Sequence, residues 1–460
     1  MNKAKAERCK RSLFYFTKEF WDIIIPEPFI YNWHIEYLCD ELQEVAQRVI
    51  DRKEKLYDLI INIPPGTSKS TMVTIMLPCW IWTLDPTIRS LTASYSSSLS
   101  TDHSLKSRDI IKSDRYKDYF PNIEIKTDQD NKTHYKNTYG GERYATSVTG
   151  TVTGFHAHLL VVDDPLNPKS AASEADRLTA NNFMDVTLST RKVSKSVTPT
   201  ILVMQRLHQQ DCTGNWLEKE GKKLKHICLP GETSPDIKPP ELKEKYINGL
   251  LDSERLDKDV LTELKINLGS YGYAGQIMQT PSPAGGGIWQ QWIIPIENNQ
   301  FPKELQRIGS DWDLAYTDKE TNSASAYVTS GMFENKMYID DIGFEWLEFP
   351  KLMGYMKSKT KPHYIEGKAS GKSAKQTLTN QGIPAIEVQV VGGDKIARAT
   401  MATPYAEAGM VYCRRSLLDK LYNDSKQGIL MFPNAEHDDL QDALVQAINR
   451  LLANKSFFTF

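Results

Sequence analysis

Hydrophobic and polar positions divide the chain into a helical start followed by alternating strands and helices. Residues 33–49 place apolar side chains at roughly helical spacing, which predicts an amphipathic helix. From residue 56 onward, short apolar runs are separated by stretches long enough for crossover helices. These runs cover residues 56–63, 89–95, 158–162 and 200–204. The alternation predicts an α/β domain with a mainly parallel sheet covered by helices.

A second pattern begins after the segment QTPSPAGGG at residues 279–287, whose prolines and glycines are typical of an interdomain linker. Beyond it we predict strands at 306–311 and 363–366, a hairpin through 325–343 and a closing helix from about 438 to 452. The predicted organisation is a helical segment at 1–55, a first domain at 56–280 with a lid or linker subdomain from about 225, a linker at 281–290, and a second α/β domain at 291–460.

Composition excludes several classes of protein. The chain has 460 residues, enough for two or three domains, and a formal net charge of −2, which gives no global reason to expect nucleic acid. No window of about 18 apolar residues exists, so a membrane span is not expected. The basic N-terminus has no apolar signal core, and the six cysteines form no C-x-x-C pair. We therefore expect a cytoplasmic protein without a zinc site or a disulfide framework.

The first candidate site is the segment LIINIPPGTSKSTMVTIML at residues 59–77, in which an apolar strand enters a small-residue turn before a helix. This layout is typical of a phosphate-binding loop, whose lysine neutralises the β/γ oxygens and whose hydroxyl ligates Mg²⁺. The candidate nucleotide contacts are Pro65, Gly66, Thr67, Ser68, Lys69, Ser70 and Thr71. The usual spacing would place glycines where this chain has Ile63 and Ser68. A buried strand followed by a Pro-Gly turn is the structural alternative.

A phosphate-binding loop needs an acidic strand end facing it, and the run HLLVVDDP supplies one at Asp163 and Asp164. Asp163 is placed to hold magnesium, and Asp164 to orient or deprotonate an attacking water. The next strand ends in Gln205 and Arg206, which are placed to sense the γ-phosphate, although a polar loop after a buried strand would look the same. Trp33 with its neighbour His34 is either a base contact or part of the core.

The second half carries three acidic clusters. Asp311 and Asp313 lie two residues apart on a strand, so both fall on one face, and Glu366 ends another strand. Asp438, Asp439 and Asp442 open the last helix. Two strand segments and a helix start with carboxylates match a phosphodiesterase site with two Mg²⁺ or Mn²⁺ ions about 4 Å apart. Separate solvated turns and a helix cap are the alternative. The basic residues flanking these clusters are candidates for tracking a phosphate backbone: Lys368, Lys372, Lys375, Lys395 and Arg398.

Taken together, these motifs resemble the large terminase subunit of tailed bacteriophages over residues 33–451. The segments that carry the resemblance are INIPPGTSKS, ASYSSSLS, TGTVTGFHAHLLVVDDP, ILVMQRLHQQD, YAGQIMQTPSPAGGGI, WDLAYT, IEGKASGKS, GGDKIARA and HDDLQDAL. The resemblance implies an additional-strand P-loop ATPase domain followed by a ribonuclease H-like nuclease domain. It implies that residues 1–55 contribute to the adenine site.

The resemblance also implies roles for single residues. Lys69 and Ser70 would bind phosphate and Mg²⁺, Asp163 would be the Walker B ligand, and Asp164 the catalytic acid. Residues 205–208 would form a coupling segment. In the nuclease, the WDLA match favours Asp313 over Asp311 as the first metal ligand, with Glu366 as the second. The third is Asp439, with Asp438 and Asp442 as candidates that the spacing does not separate.

This chain departs from the family pattern at three positions. Many relatives have an arginine where it has Gly66, a glycine where it has Ser68, and an arginine where it has Phe155. The source of a transition-state arginine is therefore open, with Arg143 as the first candidate to reach a neighbouring subunit and Arg206 as the second.

The function implied is a viral motor that uses ATP with Mg²⁺ to drive double-stranded DNA into a procapsid and cleaves concatemeric DNA. Its expected partners are the portal protein, a small terminase subunit and further copies of the chain in a ring, in the cytoplasm of the infected bacterial host and transiently at the procapsid portal. Two alternatives remain: an ATP-driven repair translocase-nuclease unconnected with capsids, and a nucleotide-sensing DNA-binding assembly protein that does not hydrolyse ATP.

Overall fold

A computed structural model describes residues 2–150, 152, 154–168, 170–171, 173–219, 223–281, 288–315, 323–367, 369–389, 395–432, 435 and 437–453. The chain forms two compact units. The first comprises residues 1–263 and 272–282, and the second comprises residues 264–271 and 283–460. The linker predicted at 281–290 falls largely on residues outside the described ranges, so its bounds remain a prediction, as does the subdomain predicted from about 225.

The first unit is built on an eight-stranded sheet with the order β3-β4-β5-β2-β6-β7-β1-β8. Its strands are β1 (Asp58–Asn62), β2 (Ser90–Ser94), β3 (Ile125–Asp130), β4 (His134–Asn137), β5 (Glu142–Ser147), β6 (Leu159–Asp163), β7 (Thr200–Met204) and β8 (Leu224–Cys228). Six strands run parallel, while β4 pairs antiparallel with β3 and β5. Strand β7 lies between β1 and β6, which is the additional-strand arrangement expected from the sequence.

Both faces of this sheet are covered. Because successive side chains of a strand point to opposite faces, Leu59 and Ile61 join one core while Ile60 joins the other. The helices of this unit are α1 (Asn2–Arg11), α2 (Leu13–Phe20), α3 (Trp33–Ile50), α4 (Leu77–Leu84), α5 (Ser97–Lys112), α6 (Asp114–Tyr119), α7 (Glu174–Asn182) and α8 (Cys212–Leu217). Helix α9 (Lys258–Gln276) is interrupted at Gly269, whose φ is 64°. The parallel order brings the ends of β1, β6 and β7 to one edge of the sheet.

The second unit contains a seven-stranded sheet with the order β14-β13-β10-β11-β12-β15-β9. Its strands are β9 (Ile294–Ile296), β10 (Gln306–Asp313), β11 (Ser325–Phe333), β12 (Lys336–Glu345), β13 (His363–Glu366), β14 (Ala385–Val388) and β15 (Val411–Arg414). Strands β10, β11 and β12 form an antiparallel meander, and β13 and β14 continue the sheet in parallel beside β10. This five-strand arrangement is that of the ribonuclease H fold, as predicted.

The helices of the second unit pack on both faces of the sheet. They are α10 (Phe349–Lys357), α11 (Ala369–Asn380), α12 (Lys395–Glu407), α13 (Arg415–Asn423) and α14 (Asp439–Ile448). Helix α14 packs with β10 and β11, and a π-helical segment, Asn449–Ala453, follows it. At the start of α11, Gly371 allows a close approach to β13, because a Cβ at this position would lie 2.0 Å from the carbonyl oxygen of Glu366. The predicted strand at 306–311 extends to Asp313, and the closing helix starts at Asp439 rather than 438.

All six cysteines are buried, and none forms a disulfide. In the part of the chain with described coordinates, every helix is too short or too polar to span a bilayer.

Candidate functional sites

The loop after β1 has a defined shape that two left-handed residues create. Gly66 has φ 79° and Ser68 has φ 63°, and the Thr67 hydroxyl donates a 2.7 Å hydrogen bond to the carbonyl of Pro64. A π-helical segment, Thr71–Met76, then runs into α4. Ser68 stands where the standard motif has glycine and adopts the backbone conformation that favours glycine, at a cost of about 1–2 kcal/mol. Serine therefore replaces glycine at this position of the motif, while the backbone takes the left-handed conformation that glycine favours.

The loop and the end of β6 meet as the sequence predicted. Lys69 Nζ lies 3.1 Å from Asp164 Oδ2, and the Ser70 hydroxyl donates a 3.0 Å hydrogen bond to Asp163 Oδ1. Gln205, at the end of β7, donates its backbone N–H to Asp164 Oδ1 at 3.2 Å. Pro65 and Thr71 lie half-buried on either side of this constellation, and Gly66 is exposed. The three strand ends thus bring a lysine, a hydroxyl and two carboxylates into one site.

Two further residues support Asp163. The Thr74 hydroxyl donates a 2.7 Å hydrogen bond to Asp163 Oδ2, and His103 Nδ1 lies 3.6 Å from the same oxygen. Burial lowers the pKa of His103 to about 4, so the ring is neutral at pH 7. The sequence interpretation missed both residues. Thr74 carried a usable signal, because it follows Ser70 by one helical turn and therefore lies on the same side.

Burial raises the pKa of Asp163 and of Asp164, and the charge of Lys69 opposes this rise in both. The lysine charge therefore favours the ionised carboxylates and offsets part of the effect of burial. Hydroxyl and carboxylate oxygens are the ligands that Mg²⁺ prefers, and the left-handed loop leaves room at Gly66, where an added Cβ would meet nothing within 4 Å. Together these observations fit a magnesium-bound polyphosphate, which Ser70 and Asp163 would hold.

The residues predicted for base contact take different positions. His34 is fully buried, and its Nε2 lies 3.1 Å from the carbonyl oxygen of Thr67. Because the ring offers no exposed surface, the prediction that it contacts a base is wrong, and it supports the loop from inside instead. Trp33 is half-buried, with its ring 5.7 Å from that of Tyr246 and its indole N–H buried without a hydrogen-bond partner. Its role as a base contact remains a prediction.

Neither candidate for the transition-state arginine is free to move. Arg143 on β5 is 1% exposed and donates a 2.9 Å hydrogen bond to the carbonyl of Thr74. A side chain enclosed in this way cannot reach a neighbouring subunit, so that prediction is wrong. The Arg206 guanidinium forms a 2.9 Å ion pair with Asp211 and is therefore held within its own unit. At the third departure, Phe155 stacks on Tyr144 in the core.

The coupling segment predicted at 205–208 contacts the segment that leads toward the second unit along the chain. The backbone N–H of Arg206 donates a 3.0 Å hydrogen bond to the side chain of Gln279, a residue with φ 58°. An added Cβ at Gly275 would lie 3.0 Å from the carbonyl oxygen of Arg206. The end of β7 therefore touches both Asp164 and residues 275–279.

In the second unit, the two aspartates of β10 have different environments. Asp311 is fully buried and accepts hydrogen bonds from Arg450, with Nη2 at 2.7 Å, and from Gln446. This ion pair occupies Asp311 and leaves Asp313 as the acid that faces the other carboxylates. Gln446 and Arg450 were missed in the sequence, although they follow Asp442 at intervals of four and thus share its face of the helix.

Asp313 lies in a crowded acidic cluster with Glu366, Asp439 and Asp442. Burial raises the pKa of Asp313 to about 7, and the charges of Asp442, Asp439 and Glu366 add to this rise while that of Lys395 opposes it. The ends of β10 and β13 and the first turn of α14 supply these carboxylates, as predicted. The cluster therefore holds excess negative charge.

The three acids of α14 are distinguishable. Asp439 Oδ2 already accepts hydrogen bonds from the backbone of Ala324 at 2.8 Å and from Gln427 at 2.7 Å. Asp438 stands at the cap position without capping and pairs with Lys395 at 2.5 Å. Asp442 is 6% exposed, and its Oδ1 accepts no hydrogen bond. Asp442 thus differs from Asp439 in having an oxygen without a hydrogen bond.

Within the described ranges, no three His, Cys, Asp or Glu side chains are disposed to hold a metal ion jointly. Lys395 and Arg398, predicted to track a phosphate backbone, contact the carboxylates of the cluster. Lys372 is exposed and Lys375 pairs with Glu387, while Lys368 lies outside the described residues. The buried Asp442 oxygen without a hydrogen bond and the raised pKa of Asp313 nonetheless fit a divalent cation, whose preferred ligands are such carboxylates.

Residues 346–451 match the family described as the terminase RNaseH-like domain. Over these residues the chain is similar to that family. The predicted resemblance to large terminase subunits is confirmed, as is the predicted fold class. No curated protein is significantly similar to the chain.

Solved structures of large terminases share a general likeness with the chain. The large terminase of a thermophilic bacteriophage in complex with ADP has a TM-score of 0.48 at 12% identity, covering 90% of this chain and 99% of that one. The HK97 bacteriophage large terminase gives 0.37 at 10%, covering 96% and 99%. The large terminase nuclease of thermophilic phage G20c with magnesium gives 0.26 at 14%, covering 36% and 99%. The assignment of this chain rests on the family match and on its own geometry.

Proposed function

We propose that this terminase-related chain is a DNA-packaging motor, which hydrolyses ATP to move double-stranded DNA into a procapsid and cuts concatemeric DNA. The observation that carries the proposal is the pairing of two sites for phosphate chemistry in one chain. A lysine loop faces two strand-end aspartates in the first unit. An acidic cluster on a terminase RNaseH-like domain forms the second site.

In the first site, each residue has a chemical task. Lys69 neutralises charge on the β/γ-phosphates and is displaced from Asp164 when it does so, which frees that carboxylate to orient the attacking water. Ser70 and Asp163 would hold Mg²⁺, which neutralises developing charge on the phosphates. Thr74 fixes the position of Asp163 through its hydroxyl, and the neutral ring of His103 lies beside the same oxygen. Gln205 senses the state of Asp164 through its backbone N–H, and the contacts of its neighbour Arg206 pass that state to residues 275–279.

In the second site, Asp313, Glu366 and Asp442 would hold two Mg²⁺ or Mn²⁺ ions, which activate a water and stabilise the leaving oxygen of a phosphodiester. Asp439 holds the start of α14 against the backbone of Ala324 and the side chain of Gln427. Asp311 anchors β10 to Arg450 and takes no part in metal binding.

The wider setting of the motor is part of the same proposal. Its partners would be double-stranded DNA, a portal protein, a small terminase subunit and other copies of the chain in a ring. It would act in the cytoplasm of the infected bacterium and at the portal of the procapsid. The resemblance to large terminases supports this setting.

The proposal is tested by measuring Mg²⁺-dependent ATP hydrolysis and Mn²⁺-dependent plasmid cleavage on the same purified proteins. Lys69→Ala should lower the ATPase rate by about 100-fold or more and leave cleavage intact, because it removes the charge that faces the phosphates. Asp313→Asn should abolish cleavage and leave hydrolysis intact. The exposed residues Lys53 and Asp419 supply the matched controls Lys53→Ala and Asp419→Asn, which should change neither activity.

Unchanged hydrolysis in Lys69→Ala would reject the nucleotide site, and cleavage surviving in Asp313→Asn would reject the metal site. A third assay separates packaging from repair. Purified procapsids with portal should make DNA resistant to added nuclease only when the chain and ATP are both present. A motor that hydrolyses and cuts but never protects DNA would instead match the repair enzyme.

A further inference from the structure

Two cations at the start of α12 lie inside the acidic cluster of the second unit. Lys395 Nζ is 2.5 Å from Asp438 Oδ1 and 3.0 Å from Asp442 Oδ2. Arg398, one turn later, places Nη1 3.7 Å from Glu366 Oε1 and Nη2 3.8 Å from Asp442 Oδ1. One helix face thus supplies a positive charge to each side of Asp442.

The contacts of Arg398 are those of an ion pair without hydrogen bonds. Both of its carboxylate distances exceed hydrogen-bond length, and its Nε is buried without a partner. A guanidinium normally binds a carboxylate in a fork of short bonds. Asp442, the partner of Arg398, also lacks hydrogen bonds: it is 6% exposed, and its Oδ1 accepts none. The arginine therefore balances the charge of Asp442 here without satisfying its hydrogen-bonding need.

Among the described residues of the cluster, carboxylates outnumber cations. Lys395 and Arg398 face five carboxylates, namely Asp313, Glu366, Asp438, Asp439 and Asp442. A divalent cation that binds Asp442 or Glu366 needs the oxygens that Lys395 and Arg398 now face. Cations at the same oxygens repel each other strongly in a partly buried site, so both cannot stay at full occupancy.

We propose that Lys395 and Arg398 are built-in counter-ions of the metal site, which compete with divalent cations for Asp442 and Glu366 and leave these oxygens when metal enters. This inference rests on the proposed nuclease function. It adds a regulatory property to that site: the empty cluster is held together by the protein's own cations, and metal affinity is set below the value that the carboxylates alone would give.

The opposite role is a positioning one, in which the two cations hold the carboxylates in place for the metal. The two roles predict opposite changes in metal affinity when Lys395 or Arg398 is replaced. Removing a competitor strengthens metal binding, whereas removing a positioning group weakens it.

The test is calorimetric titration of the nucleotide-free full chain with Mn²⁺ alone, in an Asp163→Asn background that removes the first metal site. Lys395→Gln and Arg398→Gln should each strengthen Mn²⁺ binding by about threefold or more, because each removes a nearby positive charge. Arg398→Lys keeps the charge and should restore an affinity close to that of the parent. Lys375→Gln removes a lysine that pairs with Glu387 instead and should leave the affinity unchanged.

A second measurement guards against loss of structure. In the metal-free state, Lys395→Gln and Arg398→Gln should lower the melting temperature at pH 8, and saturating Mn²⁺ should recover the loss. Weaker or unchanged Mn²⁺ binding in both variants would overturn the inference. Asp313→Asn is the reference that keeps the two proposals apart: if it leaves Mn²⁺ binding unchanged, no metal site exists there and the nuclease proposal itself fails.

Discussion

The carboxylates of the two sites differ in the side chains that surround them. In the first unit, Asp163 accepts hydrogen bonds from Ser70 and Thr74, and Asp164 pairs with Lys69. In the second unit, Asp313 faces three other acids, and Asp442 keeps an oxygen without a hydrogen bond. The carboxylates of the first site are thus paired with hydroxyl and lysine side chains, whereas those of the acidic cluster outnumber the described cations, Lys395 and Arg398, that face them.

This difference follows from how each site is built. A strand, a turn and a helix close in sequence supply the loop, and its lysine and hydroxyl reach the acids of a neighbouring parallel strand. The acidic cluster gathers like charges from β10, β13 and α14, and like charges at close range raise one another's pKa. A bound divalent cation offsets repulsion between carboxylates, so a cluster of this kind is typical of a metal site.

The largest expected effect tests whether Asp311 stabilises the fold and is not a metal ligand of the acidic cluster. Asp311→Asn should destabilise the second unit by about 3–5 kcal/mol, because it leaves Arg450 buried without its counter-charge. Urea unfolding measures the change. The double variant Asp311→Leu with Arg450→Met should recover most of the loss. A cleavage defect without loss of stability would instead place Asp311 among the metal ligands.

The next prediction separates two acids of one helix. Asp442→Asn should lower Mn²⁺-dependent cleavage by about 100-fold or more, because it removes a charged oxygen that would bind the metal, while the hydrogen bonds of Asp439 stay intact. Asp439→Asn should lower the melting temperature, because it weakens two hydrogen bonds worth about 1 kcal/mol each. Cleavage rates and thermal unfolding of both variants check the difference. The reverse result would restore Asp439 as the main ligand.

A third prediction concerns the neutral histidine beneath the loop. Burial lowers the pKa of His34 from its ordinary value of 6.5 to about 4. As pH falls, the unfolded chain therefore binds a proton at His34 before the folded chain does. The stability that the neutral ring contributes is complete above pH 6.5 and is lost between pH 6.5 and about 4. At pH 5 the loss is about 2 kcal/mol. His34→Gln should remove this part of the pH dependence, which denaturant unfolding at pH 7 and pH 5 measures. An identical pH dependence in the variant would contradict the burial.

The smallest expected effect tests the shape of the loop. Ser68→Gly should stabilise the first unit by about 1 kcal/mol, because glycine adopts the left-handed conformation without strain. Ser68→Ala is the matched control and should bring no gain. Thermal unfolding gives both values. A loss of stability in Ser68→Gly would mean that the serine hydroxyl, and not the backbone shape, is what this position requires.

The sequence predicted the fold well where patterns were local. Apolar runs predicted β1, β2, β6 and β7 of the first sheet and β10 to β13 of the second, and the order of motifs gave the two-part architecture. The other strands of both sheets were not predicted; they are β3, β4, β5, β8, β9, β14 and β15. The sequence could not place Arg450 beside Asp311 or Lys395 beside Asp442, because those pairs join segments far apart in the chain. The prediction for Arg143 failed for a related reason: its side chain is buried on β5 against Thr74, which lies far away in the sequence.

The sequence also predicted poorly the roles of residues at the ends of helices. Asp438 has the residue type of a helix cap, yet Lys395 holds its carboxylate away from the helix N-terminus. His34 had equal claims as a ligand or a core residue, and burial decided between them. Tertiary contacts, which a single sequence does not display, settled each of these cases.

The most direct test of the contrast between the two sites is thermal unfolding of the wild-type chain and Asp313→Asn at pH 8, without and with Mn²⁺. This pH lies above the Asp313 pKa of about 7, so the Asp313 carboxylate is mostly ionised. Without metal, Asp313→Asn should melt several degrees higher than the wild type, because one buried like charge is gone. Mn²⁺ should stabilise the wild type and leave the variant nearly unchanged. A variant that melts lower without metal, or a wild type that does not respond to Mn²⁺, would contradict the account.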